Sequence, residues 1–168
     1  GDIYSFVQVA SDIYALAYSS GPNGCLGDSC NDGYITTFTI PSDGSSITEI
    51  ATLEHDEANG KNHSLIKVDS DTYALAYSGG QEGSLLGWIS TFTISSDGLT
   101  ITKEATFNHH GAASDYGSGE YNSFVHVDSD TYALAFTGEG DDGWISTFTI
   151  PSNGSSITEI ATLEHDEV

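Results

Sequence analysis

Arginine and methionine are absent from this 168-residue chain, and three lysines, Lys61, Lys67 and Lys103, stand against 25 aspartates and glutamates. The formal charge of −22 repels phosphate backbones and anionic headgroups, so nucleic acid and anionic membranes are excluded as partners. Such self-repulsion is relieved by salt, whose screening length falls to roughly 3 Å at ~1 M, or by bound calcium; plain solubility is the simplest use of the charge. Cysteine is confined to Cys25 and Cys30, too few for a structural zinc site. Placed in one Gly-rich loop, they read as a local disulfide, which implies an oxidising, extracellular or cell-surface setting. No apolar run is long enough to span a membrane as a helix. No G-x-S-x-G, H-E-x-x-H or phosphate-loop motif occurs. The lack of Met and of a leader segment is expected of a mature product or an excerpt of a longer chain.

What is present is a repeat. Asp12-Ile-Tyr-Ala-Leu-Ala-Tyr-Ser19 returns as Asp71–Ser78 and as Asp130–Thr137, so that Tyr14, Tyr73 and Tyr132 recur at an interval of 59. Each copy is followed by a second shared run, Gly33–Ile40, Gly87–Ile94 and Gly143–Ile150. The unit divides into four predicted strands. The first is Ser5–Val9, Ser64–Val68 and Ser123–Val127; a short Ser-Asp turn leads to the second, the Tyr-Ala-Leu-Ala-Tyr core. The third is the Ile-x-Thr-Phe-Thr-Ile run, and Asp43-Gly44, Asp97-Gly98 or Asn153-Gly154 then turns the chain into the fourth, Ile47–Leu53, Ile101–Phe107 and Ile157–Leu163. Asp-Gly and Asn-Gly favour tight hairpins because glycine accepts positive φ.

Long-period repeats of four strands suit either the blades of a β-propeller or the lobes of a β-trefoil. In the second strand Tyr73, Leu75 and Tyr77 share one face and Ala74 and Ala76 the other, and neither face is polar. A strand apolar on both sides belongs inside a sheet packed between two others, with the small Ala face admitting the bulky face of the next. The fourth strand mixes Thr, Glu and Lys with Ile and Ala, as an outer edge should. The expectation is therefore an all-β propeller with three antiparallel blades, spanning approximately 1–58, 59–118 and 119–168 of one repeat domain. The unit, reading "DSDTYALAYSG…DGWISTFTISSDG", resembles the four-stranded blade of β-propeller repeat proteins over the whole chain. It lacks the Gly-His and Trp-Asp pairs of WD-repeat blades and the double Gly of kelch blades, and the resemblance carries no catalytic residues. Propellers close with more than three blades. Two apolar faces left open would drive association, so a head-to-tail homodimer forming a six-bladed ring is expected.

The turns on one rim hardly change between units, whereas the loops on the other differ: Ser19–Gly33, Ser78–Gly87, Thr137–Gly143, and the long His109–Tyr121 segment containing Tyr116. Ligands favour variable loops on a rigid scaffold, which points to that rim. Tyr34, Trp88 and Trp144 open the third strand of each unit and could stack on sugar faces, although their recurrence suits packing between blades. His55, His109 and His165 also recur; a ring of imidazoles could hold a metal, although a repeated hydrogen-bonding role at the blade junction suits them better. His110 breaks the repeat. His126 shares its position with Gln8 and Lys67, a position that could face a central channel. Asp141 and Asp142 are hard oxygen donors of the kind calcium takes, or a solvated turn; no other cofactor is implied. The chain reads as a non-enzymatic extracellular binding or scaffold module for carbohydrate or protein. The alternatives are a propeller glycoside hydrolase or polysaccharide lyase, and a structural repeat of a larger surface protein.

Overall fold

The computed structural model describes residues 4–21, 31–57, 59–80, 86–111 and 119–165. Cys25, Cys30 and Tyr116 lie outside them. Among the described residues, twelve strands form three separate four-stranded antiparallel sheets. The first contains β1 (Ser5–Gln8), β2 (Ile13–Ser20), β3 (Asp32–Thr39) and β4 (Thr48–Asp56). The second contains β5 (Lys61–Lys67), β6 (Thr72–Gly79), β7 (Leu86–Ile94) and β8 (Ile101–His110). The third contains β9 (Glu120–Asp128), β10 (Thr131–Thr137), β11 (Gly143–Thr149) and β12 (Thr158–Glu164). Each sheet is a meander in chain order, and β1, β5 and β9 run side by side. The three sheets stack as blades, with their first strands innermost, which is not the arrangement of a trefoil barrel.

The two faces of the second strand explain the stacking. Tyr73, Leu75, Tyr77 and Phe92 of the second blade pack against Ala15, Ala17 and Ile35 of the first. Tyr132, Leu134, Phe136 and Phe148 of the third blade pack against Ala74, Ala76 and Ile89 of the second in the same way. Small side chains on one blade thus make room for rings on the next, and β6, lying between both partners, is buried along its entire length. The core is two inter-blade layers rather than one central cluster.

The turns on the conserved rim follow the sequence closely. Gly44, Gly98 and Gly154 stand at φ of 64°, 73° and 65°, and each donates its N–H to the carbonyl three residues back at 2.8 Å. The turn between β9 and β10 departs from its two counterparts by placing Ser129 at a φ of 48°. An irregularity absent from the sequence pattern also recurs. The pairing of third and fourth strands slips between Thr37 and Phe38, Thr91 and Phe92, and Thr147 and Phe148. A bulge at one place in every blade adds twist to the outer strand.

Candidate functional site

The variable rim gathers the ends of β2, β4, β6, β8 and β10 with the starts of the strands that follow them. Among the described residues, five non-glycine residues adopt left-handed backbone, and four lie here: Asn59 (φ 72°), Asn62 (55°), Tyr121 (51°) and Asp141 (68°). Asparagine and aspartate tolerate that region through local side-chain bonding, but a bulky residue such as tyrosine is an outlier there. Side-chain hydrogen bonds hold two of these positions. Asn59 Nδ2 donates to the Gly80 carbonyl at 3.1 Å, and Asn62 Nδ2 donates to Ser78 Oγ at 3.2 Å. Asn122 Nδ2 bridges the carbonyls of Asn62 (3.1 Å) and Gly119 (2.8 Å) across the second and third blades. The Tyr121 ring is left 65% exposed.

Next to Tyr121 in the chain is Glu120, half-buried at the start of β9. Burial pushes its carboxyl above the ordinary carboxylate range, and Asp141 adds to that push while Lys61 opposes it. Lys61 and Glu120 hold the same repeat position on adjacent innermost strands. Asp141 comes from a single 3-10 turn, Glu139–Asp141, between β10 and β11. The three therefore converge from three separate segments on the inner end of the rim.

Further out, the His110 ring lies 5.0 Å from Phe136 and 5.0 Å from Trp144, centroid to centroid. Trp144 Nε1 is buried without a hydrogen-bond partner among the described residues. Its indole stands over Gly138, where a Cβ would overlap the Trp144 ring and approach His110 Nε2 to 2.7 Å. In the second blade the equivalent Trp88 donates from Nε1 to the Gly79 carbonyl at 3.3 Å. Trp88 and Trp144 both pack on the inter-blade cores. Tyr34 stacks on Tyr18 at 5.7 Å, and its hydroxyl donates to Asp32 at 3.4 Å. Among the described residues singled out in sequence, His110 and Trp144 come together.

His126 lies on the opposite rim, bonded through Nε2 to its own turn at the Ser129 carbonyl, 2.8 Å away. Gln8 makes the matching bond to the Ser11 carbonyl at 3.0 Å. Lys67, at the same position, reaches across to the Val9 carbonyl of the first blade at 3.1 Å. Two shallow recesses on that rim mark the blade junctions. Asp141 is exposed and Asp142 half-buried. Among the described residues no group of three or more His, Cys, Asp and Glu side chains is placed to hold a metal ion.

The recurring histidines sit at the junctions as rings. His55 lies edge-on to Tyr77 at 4.7 Å and His109 to Phe136 at 4.6 Å. A hydrogen bond accompanies the first, between His55 Nε2 and His63 Nε2 at 3.2 Å; neither ring nitrogen of His109 has a partner among the described residues. Burial drives the His55 pKa well below its usual range, with His63 and Lys103 adding to the shift. Burial, then His110, brings His109 down to about 3.

No family model matches the chain, and no curated protein matches it significantly. Solved structures do. Sqt1 of Saccharomyces cerevisiae superposes over 98% of this chain with a TM-score of 0.58 at 10% identity. A provisional 6-phosphogluconolactonase of Bacteroides fragilis superposes over 96% with a TM-score of 0.59 at 15% identity. A glycosyl hydrolase of Bacteroides ovatus superposes over 95% with a TM-score of 0.58 at 11% identity. The chain spans 35%, 38% and 48% of those three chains respectively. At such identities the likeness is one of fold, and the fold is propeller-like.

Proposed function

We propose that the chain is a non-enzymatic binding module. Its ligand is a carbohydrate held on the variable rim where the second and third blades meet. The observation that carries this reading is Tyr121, an exposed aromatic residue on left-handed backbone. Strain of this kind costs on the order of 1–3 kcal/mol and persists where the surrounding structure over-determines it, often at ligand clamps. An exposed ring offers a sugar an apolar face to stack on, and Glu120, Lys61 and Asp141 at the inner end of the rim offer acceptors and a donor for its hydroxyls. Glycan-array binding followed by calorimetry tests the reading. Tyr121→Ala should weaken a hit at least tenfold without changing the thermal midpoint by more than a few degrees. Equal binding by the variant, or no hit from neutral or acidic glycans, would remove it.

One observation favours a second reading, a glycoside hydrolase or lyase. Glu120 is a carboxyl pushed upward by burial beside a second carboxylate, Asp141, and environments that separate two carboxyl groups suit an acid and a base. Turnover of a polysaccharide that disappears in Glu120→Gln would establish it over simple binding.

A further inference from the structure

Both inner junctions are held by the same pairs of residues, and one half of each pair is left open at either end of the stack. Thr37 Oγ1 donates to the Gly98 carbonyl of the next blade at 2.7 Å, and Thr91 Oγ1 to the Gly154 carbonyl at 2.6 Å. The third members of these two series are Thr147 and Gly44. Thr37 and Thr91 are fully buried and Gly98 and Gly154 are buried, whereas Thr147 is half-buried and Gly44 exposed. A Cβ on Gly98 or Gly154 would strike the preceding blade, but one on Gly44 would meet nothing within 4 Å.

The inner strands repeat the pattern. Ser5 Oγ accepts the Leu65 N–H at 2.8 Å and Ser64 Oγ the Phe124 N–H at 3.0 Å, which leaves Ser123 and Phe6. Phe6 is 51% exposed against 3% for Leu65 and 5% for Phe124. On the Ala side, Ile35 and Ile89 are fully buried while Ile145 is 39% exposed. His55 and His109 are covered by the rings of the following blade, and His165, exposed, would be covered by Tyr18 and Phe38.

We propose that a second copy of this chain occupies both open faces. The Ala face of the third blade receives the aromatic face of the second copy's first blade, and the reciprocal junction closes a six-bladed ring. Thr147 Oγ1 then donates to the second copy's Gly44 carbonyl, and the second copy's Phe6 N–H donates to Ser123 Oγ. The two faces of one chain are halves of a joint that the same chain already makes twice, which is why a copy, rather than an unrelated protein, fits them. The contact is head-to-tail, and closure after two chains distinguishes it from an open filament. With −22 on each chain, association should strengthen as salt screens the repulsion.

Light scattering with sedimentation, at low and high salt, tests this. The expected mass at high salt is twice 17.7 kDa. A monomer at both salts, or a mass that climbs past two chains with concentration, overturns the ring. Ala135→Lys and Leu16→Lys alter half-buried positions on the two open faces. Each lowers the net negative charge, so a loss of association cannot come from added repulsion. Either variant alone should be monomeric, and an equal mixture should regain dimer through one intact junction. Persistence of dimer in the single variants, or no recovery in the mixture, overturns the head-to-tail arrangement. Gly44→Asn gives an independent check, because asparagine accepts left-handed φ and preserves the turn. It should dissociate the ring with unchanged circular dichroism; an intact dimer would refute the Gly44 contact.

Discussion

His109 provides a sharp test of the stacked-blade core. Its ring is 6% exposed, lies against Phe136 and Phe148, and has a pKa lowered from the usual 6.5 to about 3. The folded state therefore keeps the ring neutral where the unfolded chain would protonate it. The stability that depends on this is fully present above pH 6.5 and is lost progressively as the pH falls toward 3, because below 6.5 the unfolded state binds the extra proton. At pH 5 the loss from this one residue amounts to about 2 kcal/mol, at 1.36 kcal/mol per pH unit. His109→Leu removes the titration and keeps an apolar group against the two phenylalanines. Urea unfolding of both proteins at pH 7.5 and 5.0, at one ionic strength, isolates the effect. The stability of the variant relative to wild type should rise by about 2 kcal/mol between the two pH values. A difference that does not change with pH would refute the buried, neutral state of His109 and the junction geometry that imposes it.

Other substitutions probe single contacts. Gly98→Ala places a Cβ 3.0 Å from Ile13 and Ile50 on backbone at a φ of 73°, and should cost ~1–3 kcal/mol in urea unfolding through overpacking and strain. Thr91→Val removes a hydroxyl that donates to the Gly154 carbonyl and accepts the Ala105 N–H. It strands the buried Gly154 carbonyl and the half-buried Ala105 N–H and should cost roughly 1–3 kcal/mol by the same assay. Gly138→Ala overlaps the Trp144 indole, so it should lower the thermal midpoint and shift the tryptophan fluorescence, whereas Gly140→Ala, with only Asp142 nearby, should leave that emission unchanged.

The architecture was legible because it rests on local chemistry repeated three times. The doubly apolar Tyr-Ala-Leu-Ala-Tyr strand could only be an inner strand, and Asp-Gly and Asn-Gly fixed the turns. The recurrence of Trp88 and Trp144 suggested packing, and both pack between blades. The inner end of the rim was not legible. Lys61 and Glu120 are far apart in the chain and meet because innermost strands of successive blades lie side by side, and Asp141 joins them from the turn between β10 and β11. Tyr121 stood in the sequence as the end of a variable loop; its left-handed backbone recurs at Asn62, the equivalent position of the second blade. One internal signal was available: Lys61 and Glu120 occupy equivalent positions with opposite charge, which a comparison of units would expose. Hydrogen bonding was expected of all the recurring histidines, yet His109 is held by rings alone, because Asn122 stands where the second blade has His63.

The hydroxyl-to-carbonyl pins between blades have a consequence for how such a chain can change. Each unit carries a donor half on one side and an acceptor half on the other, so any unit can follow any other. Reordering the three units, or duplicating one in frame, would keep the same hydroxyl-to-carbonyl pin at every joint. The scaffold can therefore lengthen by copying while the loops of a single unit diverge, and novelty on the rim needs no compensating change in the seams beneath it.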